Sequence, residues 1–137
     1  MTSKVLFDSD VILDCLLKRE PHYVESVKAL AKALNKTVKG YIASHSVLNL
    51  AYILRKKYRQ EEIRQLLGEL INYLSISAID DKVIEKALVS DIKDLEDAVV
   101  NYSAELANIN CIVTRNISDY KNSSVIAITP TEFNKNY

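Results

Sequence analysis

The sequence predicts an α/β domain in which a mainly parallel central sheet is flanked by helices. Apolar runs of three to five residues alternate along the chain with longer segments whose apolar residues recur at helical spacing. The first apolar run, Val5-Leu6-Phe7, ends abruptly in Asp8-Ser9-Asp10, and a helical pattern begins at once. The chain has 137 residues, of which 48% are hydrophobic, so we expect one domain spanning residues 1–137.

The order of the elements follows from these patterns. Strands are predicted at residues 5–7, 41–43, 74–76, 111–113 and 125–127. Helices are predicted from residue 11, over residues 24–34, 47–54, 61–73, 83–88 and 95–106, and as a final turn from residue 130. Right-handed crossovers between parallel strands would bring several strand ends to one edge of the sheet.

Polar residues predict where three of the helices begin. Ser44 or Ser46 is expected to cap the third helix, and Asp80 or Asp81 the fifth. Thr129 is expected to cap the last one, where a proline follows in the first helical position.

Composition limits the classes of function. Lys+Arg and Asp+Glu both number 18, so the formal net charge is zero, which argues against strong non-specific nucleic-acid binding but allows a local basic patch. The chain has only two glycines, which excludes a glycine-rich phosphate loop and a dinucleotide fingerprint. Whatever site is present must therefore act through side chains.

The densest basic cluster is Arg55-Lys56-Lys57-Tyr58-Arg59, at the end of the third helix. Two interpretations are open. The charges would stabilise a helix C-terminus, or Arg55 and Lys56 would contact a phosphate backbone as RNA-binding residues.

Two cysteines, Cys15 and Cys111, each lie inside an apolar run. We predict that both are buried and unpaired, as in a reducing compartment. No run is long enough to span a membrane, and Asp8 and Asp10 interrupt the first apolar stretch, which is unlike a signal peptide. A cytoplasmic protein is expected.

Acidic residues recur where predicted strands end and helices begin. They are Asp8 and Asp10, then Asp94 and Asp97, then Asp119. Ligands of open parallel sheets bind at the carboxyl ends of the strands, and a carboxylate there is costly without a cation beside it. Oxygen ligands suit hard ions such as Mg²⁺ or Mn²⁺, which support phosphodiester hydrolysis.

Each acid also has a structural interpretation. Asp94 and Asp97 would form a capping box, with Asp94 as the cap. Asp10 would start a helix, Asp14 is predicted on a solvated helix face, and Asp119 would be a turn residue. His22 and His45 are predicted to be polar surface or capping groups rather than catalytic bases. The signal therefore lies in the set of acids.

Four segments, taken in order, resemble the PIN-domain ribonucleases. The first strand with Asp8-Ser9-Asp10-Val11 resembles their opening, and Asp94-Leu95-Glu96-Asp97-Ala98 resembles their central motif. Thr114-Arg115-Asn116-Ile117-Ser118-Asp119-Tyr120 resembles their T-R-N-x-x-D-[FY] loop, and Thr129-Pro130-Thr131-Glu132-Phe133 their usual ending.

The resemblance implies a PIN-like three-layer domain and a metal-dependent endoribonuclease of the kind found as toxins in bacterial toxin–antitoxin pairs. It implies Mg²⁺ or Mn²⁺ held by Asp8, Asp97 and Asp119, with Asp10, Asn49, Asp94 and Asn116 as supporting groups. We also predict that Asp8, Asp97 and Asp119 converge on one pocket, because each follows or opens an element at one edge of the sheet. It further implies an RNA substrate, a small antitoxin partner and a homodimer.

One departure from the family pattern is Asn49, which stands where the family usually has a glutamate in the helix after the second strand. An amide can ligate a metal or hold a water but supplies no charge, so two rivals stay open. One is a non-catalytic PIN-like binding module with a decayed site. The other is a haloacid-dehalogenase-like phosphatase whose D-x-D opening would make Asp8 the nucleophile.

Overall fold

Strands and helices alternate along residues 2–137, the part of the chain that the computed structural model describes. The strands are β1 (Lys4–Phe7), β2 (Lys39–Ala43), β3 (Leu74–Ser77), β4 (Cys111–Val113) and β5 (Ile126–Ile128). The helices are α1 (Ser9–Leu16), α2 (Tyr23–Leu34), α3 (Ser44–Leu54), α4 (Gln60–Leu70), α5 (Asp81–Leu88), α6 (Leu95–Leu106) and α7 (Pro130–Asn136). A 3₁₀-helix, Ile117–Tyr120, lies between β4 and β5.

The strands form one parallel sheet in the order β3-β2-β1-β4-β5. The chain moves outward from β1 through β2 to β3 and then crosses back to place β4 on the other side of β1. The strand order therefore reverses between β1 and β4, and a crevice opens outside the carboxyl ends of strands at such a point. This confirms the predicted α/β class and identifies the edge where a site is expected.

The central strand β1 is buried on both faces, as expected for a parallel sheet covered by helices. Val5 and Phe7 face a core formed with α1, α2, α3, α4 and α7, whereas Leu6 faces a second core formed with α6 and the 3₁₀-helix. Helix α5 packs on α6 in that second layer. The result is the three-layer arrangement that the resemblance implied.

A glycine at position 40 allows β2 to lie close to α2 and β3. A Cβ atom on Gly40 would lie 2.7 Å from the Cβ of Ala33 and would overlap a methyl group of Leu74. Close approach of these three elements therefore requires glycine here.

Helix termini partly match the sequence predictions. Asp80 caps α5 by accepting a hydrogen bond from the Val83 amide, and Thr129 caps α7 with Pro130 in the first turn. The prediction for α3 is wrong: its N-cap residue is Ala43, and no side chain caps it. Strand β2 runs directly into α3, so the strand sets the start of the helix and Ser46 is buried within it.

Several element boundaries differ from prediction by one to three residues, and two of these differences have a clear structural cause. Helix α4 ends at Leu70 rather than at Tyr73, because the chain must turn before β3 begins at Leu74. Strand β5 begins one residue late, since the amide of Val125 bonds the side chain of Asn101 on α6.

Both cysteines are free thiols. Cys111 is buried as predicted, but Cys15 is only half-buried, because α1 leaves its last turn partly exposed. Burial and the neighbouring Asp14 carboxylate raise the pKa of the Cys15 thiol to about 12, which keeps it protonated and unreactive at neutral pH.

Within residues 2–137, none of the helices combines the length and the apolar character needed to cross a bilayer.

Candidate metal centre

Asp8 sits at the reversal of strand order, between the carboxyl ends of β1 and β4. Its amide donates to the carbonyl of Val113, 2.9 Å away, which extends the β1–β4 pairing by one residue. Its Oδ1 accepts from the Ser9 amide at the start of α1, and its Oδ2 accepts from the Tyr120 hydroxyl at 3.0 Å. The Asp8 carboxylate is therefore fixed from both sides of the crevice.

Asp97 lies in the first turn of α6, close to several other carboxylates. Burial, followed by the charges of Asp8, Asp94, Asp119 and Glu96, raises the pKa of Asp97 to about 7. Asp97 is thus near enough to Asp8 and to Asp119, which come from two other segments, for the charge of each to act on it.

Asp94 and Asp119 border an open cleft of about 610 Å³ beside this group of acids. The Asp94 carboxylate accepts from the Asp97 amide at 3.1 Å, so Asp94 is the N-cap of α6. That contact confirms the predicted cap and also orients the first turn that carries Asp97. Lys93 and Lys121, which the sequence analysis did not single out, line the same cleft.

Asp10 ties α1 to the loop after β4. Its Oδ2 accepts from the backbone amide of Arg115 and from the side-chain amide of Asn116, at 3.2 and 3.1 Å. Its Oδ1 is buried without a hydrogen-bond partner. Burial and the charge of Asp8 raise the pKa of Asp10 to about 6.

The prediction that Asp14 lies on a solvated helix face is wrong, because its side chain is fully buried. Arg115 donates to both carboxylate oxygens, at 2.7 and 3.2 Å, while Arg19 and the Ser26 hydroxyl donate one bond each. Apolar periodicity could not reveal this, since the arginine that compensates the buried charge lies 101 residues away in sequence.

Asn49 faces α6 and contacts Glu96, an acid that the sequence analysis did not select. The Asn49 side-chain amide donates to Glu96 Oε1 at 2.7 Å, and His45 Nε2 lies 3.4 Å from the same oxygen. His45 is therefore neither a cap nor a freely solvated group, since both ring nitrogens are buried. His22 occupies the N-cap position of α2 without making a capping bond.

The structure does not bring Arg55 and Lys56 into the crevice. Both are exposed at the C-terminal end of α3, about 9 Å or more along the helix axis from Asn49. The Arg55 guanidinium stacks on the exposed ring of Tyr52 at 4.1 Å.

The polar atoms at this edge of the sheet are mainly carboxylate oxygens. Among residues 2–137, no group of three or more His, Cys, Asp or Glu side chains is placed so that it could hold a metal ion. The mutual repulsion of the carboxylates around Asp97 and the unpartnered oxygen of Asp10 nevertheless fit a hard divalent cation.

Several solved structures share this fold. VapBC2 from Rickettsia felis, bound to a DNA fragment from its promoter, is 18% identical with a TM-score of 0.69, covering 92% of this chain and 98% of that one. A toxin–antitoxin complex from Klebsiella pneumoniae is 21% identical with a TM-score of 0.68, covering 92% and 97%. FitAcB from Neisseria gonorrhoeae is 16% identical with a TM-score of 0.68, covering 93% and 98%. At these low sequence identities, the comparison establishes a shared fold and not a shared function.

Sequence comparison identifies the family. Curated protein sequences gave no significant match. The family model for the PIN domain matches residues 4–118, which include Asp8, Asn49, Asp97 and the loop with Arg115. This chain therefore belongs to the PIN-domain family.

Proposed function

We propose that this protein is a metal-dependent endoribonuclease that hydrolyses RNA phosphodiester bonds as the toxin of a toxin–antitoxin pair. The proposal is supported by the position of Asp8 at the reversal of strand order in a PIN domain, and by the charges of Asp8 and Asp119, which both act on Asp97. Carboxylates that repel one another in the absence of a cation are suited to bind one.

In this proposal Asp8, Asp97 and Asp119 hold Mg²⁺ or Mn²⁺. The ion would neutralise phosphate charge and lower the pKa of a bound water. Tyr120 orients Asp8 through its hydroxyl, and Asp94 orients Asp97 through the helix cap. Asp10 and Asn116 hold the loop that carries Asp119 against α1. With its pKa raised to about 7, the Asp97 carboxyl is partly protonated at neutral pH, and it would give up that proton to hold a cation.

Basic side chains around the crevice support an RNA substrate. Lys93 and Lys121 line the cleft that contains Asp119, and Arg55 and Lys56 extend from the end of α3. With no net charge on the whole chain, these local groups would supply the contacts to phosphate.

The functional test is cleavage of a single-stranded RNA by the full chain with Mn²⁺, Mg²⁺ or EDTA. Wild type should cleave with either metal and not with EDTA, and Asp8→Asn should be inactive. Expression of wild type alone should arrest growth of a bacterial host, whereas Asp8→Asn should not. Cleavage that persists in EDTA, or in Asp8→Asn, would contradict the proposal.

A small antitoxin partner is part of the proposal, supported by the solved toxin–antitoxin complex that shares this fold. Exposed apolar side chains, including Leu48 on α3 and Leu88 and Val89 at the end of α5, offer surface that a partner would cover. Homodimerisation is proposed as well. Light scattering should then give twice the chain mass of 15.5 kDa, and a monomer mass at micromolar concentration would exclude it.

A second candidate is a non-catalytic PIN-like binding module, which is favoured by Asn49 and by the absence of a complete ligand set within residues 2–137. Calorimetric titration with Mn²⁺ distinguishes the two. The nuclease proposal expects binding, whereas no heat at millimolar Mn²⁺ would support the decayed site.

The phosphatase alternative has lost its support. The chain belongs to a different family, and both oxygens of Asp8 already accept hydrogen bonds from Ser9 and Tyr120, which restrains the carboxylate that would have to attack. Trapping of a phosphoaspartate at Asp8 would revive it.

A further inference from the structure

Tyr52 carries its aromatic ring on the surface of α3, with 61% of the residue exposed. The Arg55 guanidinium lies over this ring, 4.1 Å from its centroid. Lysines also lie over the rings of Tyr41, Tyr58 and Tyr102, but these three residues are buried or half-buried. Tyr52 therefore presents an aromatic surface that a cation contacts and that is still open to solvent.

The segment that begins at Tyr52 is basic. Residues 52–59 contain no acid and four cations, which are Arg55, Lys56, Lys57 and Arg59. Arg59 pairs with Glu62 at 3.3 Å, whereas the other three cations form no salt bridge with any of residues 2–137. Because the charge of an exposed cation without an acidic partner is free to attract another molecule, this end of α3 is complementary to a polyanion.

Helix geometry relates Tyr52 to the acids at the edge of the sheet. Asn49 on α3 donates to Glu96, the neighbour of Asp97 on α6, at 2.7 Å. Tyr52 follows Asn49 by three residues, so both side chains lie on the same side of α3, with Tyr52 about 4.5 Å farther along the helix axis. A single-stranded RNA bound at the acids would therefore meet the Tyr52 ring as it passes along α3.

An exposed ring beside unpaired cations suits single-stranded RNA in particular. Every unpaired base presents a flat face on which an aromatic side chain can stack, whereas base pairing keeps those faces inside the double helix. The guanidinium on the ring adds a cation–π contribution, and the neighbouring lysines are available to the phosphates of the same strand.

We infer that Tyr52, with Arg55 over its ring, is a stacking platform for an unpaired base of the substrate RNA, and that Lys56 contacts an adjoining phosphate. This inference rests on the proposed function, because the RNA is the substrate proposed above. It assigns to Tyr52 the preference for single-stranded over base-paired RNA.

The first test uses tryptophan fluorescence, because the chain contains no tryptophan. Tyr52→Trp places one at the platform, in a background of Asp8→Asn so that the RNA is not cleaved. A short single-stranded oligoadenylate should quench the fluorescence by stacking, whereas inorganic polyphosphate at the same phosphate concentration should not. Leu106→Trp, at a 43% exposed position at the other end of α6, is the matched control and should be quenched by neither.

The second test compares the affinities of variants in the same background by fluorescence anisotropy of a labelled oligoadenylate. Tyr52→Leu keeps an apolar side chain but removes the flat ring, and we expect binding to weaken by about tenfold. Tyr52→Phe keeps the ring and should bind like the parent protein. Annealing a complementary strand to the RNA should reduce the difference between the two variants, because the bases are then stacked inside the double helix. Thermal melting of each variant checks that the fold is kept.

The outcomes separate this inference from the proposed function. If Tyr52→Leu and Tyr52→Phe bind the oligoadenylate equally and Tyr52→Trp is not quenched, the platform is wrong and the nuclease proposal stands. RNA binding that depends on the Tyr52 ring, in a wild-type chain that cleaves no RNA with Mn²⁺, would support the platform and overturn the nuclease proposal. If none of the proteins binds RNA, both are overturned.

A protein contact at Tyr52 would give a different result. In that case Tyr52→Leu would change the mass measured by light scattering from dimer to monomer and leave the RNA affinity unchanged. That result would overturn the inference, because the ring would then belong to an interface between protein chains.

Discussion

Asp14 and Arg115 form a two-point ion pair, at 2.7 and 3.2 Å, that joins the middle of α1 to the loop after β4. Because the Asp14 side chain is fully buried, its charge depends on this pair and on the bonds from Arg19 and Ser26. The same loop donates to Asp10 and leads into the 3₁₀-helix with Asp119 and Tyr120. The pair therefore helps to set where Asp119 lies relative to Asp8.

The first prediction concerns this pair. Asp14→Asn should lower the free energy of unfolding by about 3 kcal/mol, since removing one partner of a buried ion pair leaves the other charge uncompensated. Urea denaturation measures the change. Asp91→Asn, at an exposed position, is the matched control and should stay within about 0.5 kcal/mol of wild type. Equal free energies of unfolding for Asp14→Asn and Asp91→Asn would show that the buried ion pair does not stabilise the fold.

The second prediction concerns the hydrogen bond from Tyr120 to Asp8. Tyr120→Phe should keep the buried ring but free the Asp8 carboxylate, and Mn²⁺ affinity should fall by about tenfold. Tyr52→Phe makes the same change on an exposed ring and should have no effect on binding. Equal affinities in calorimetry would mean that the Tyr120 hydroxyl does not orient Asp8.

The third prediction is a pH dependence of the metal-free protein. The pKa of Asp97 is raised to about 7 and that of Asp10 to about 6, both above the ordinary value of 3.8. The folded state therefore binds more protons than the unfolded state between about pH 4 and 7, and the free energy of unfolding should fall as pH rises through that window.

Asp97→Asn removes the carboxyl group with the larger of these two pKa shifts. The melting temperature of this variant in EDTA should therefore vary less with pH than that of wild type between pH 5 and 8. At pH 8 the variant should melt higher than wild type, because one of the crowded charges is gone. If the melting temperatures of wild type and Asp97→Asn change with pH in the same way across that range, the charge repulsion assigned to Asp97 would be contradicted.

The fourth prediction is that Asn49→Glu and Asp8→Asn shift Mn²⁺ affinity in opposite directions. Asn49→Glu adds a negative charge to a hard-ion site and should tighten binding, whereas Asp8→Asn removes one and should weaken it. The metal-free Asp8→Asn protein should melt no lower than wild type, because repulsion is relieved. Asn49→Glu that only destabilises the fold would identify Asn49 as a packing residue.

The sequence predicted those features that depend on local patterning. Val5, Leu6 and Phe7 form an uninterrupted apolar run, and the structure buries them as the central strand β1. Asp8 at its end and Asp94 at the start of α6 were predicted because strand ends and helix caps have recognisable local sequence patterns.

The features that the sequence did not predict depend on partners distant in the chain. Asp14 is buried because Arg115 reaches it from the loop after β4, and Glu96 points to α3 because Asn49 lies opposite it. Neither contact has a periodicity that apolar spacing can detect. A buried acid is recognisable only once its compensating groups are placed, which requires the tertiary fold.

The most direct test of the central claim is a crystal of the full chain soaked in Mn²⁺, with anomalous scattering collected at the manganese edge. We predict an anomalous peak between the carboxylates of Asp8, Asp97 and Asp119, at the carboxyl ends of β1 and β4, with oxygen ligands at about 2.0–2.2 Å, as expected for a hard divalent ion of this size. A well-ordered crystal in which Mn²⁺ binds elsewhere, and leaves these three carboxylates without an ion, would contradict the account.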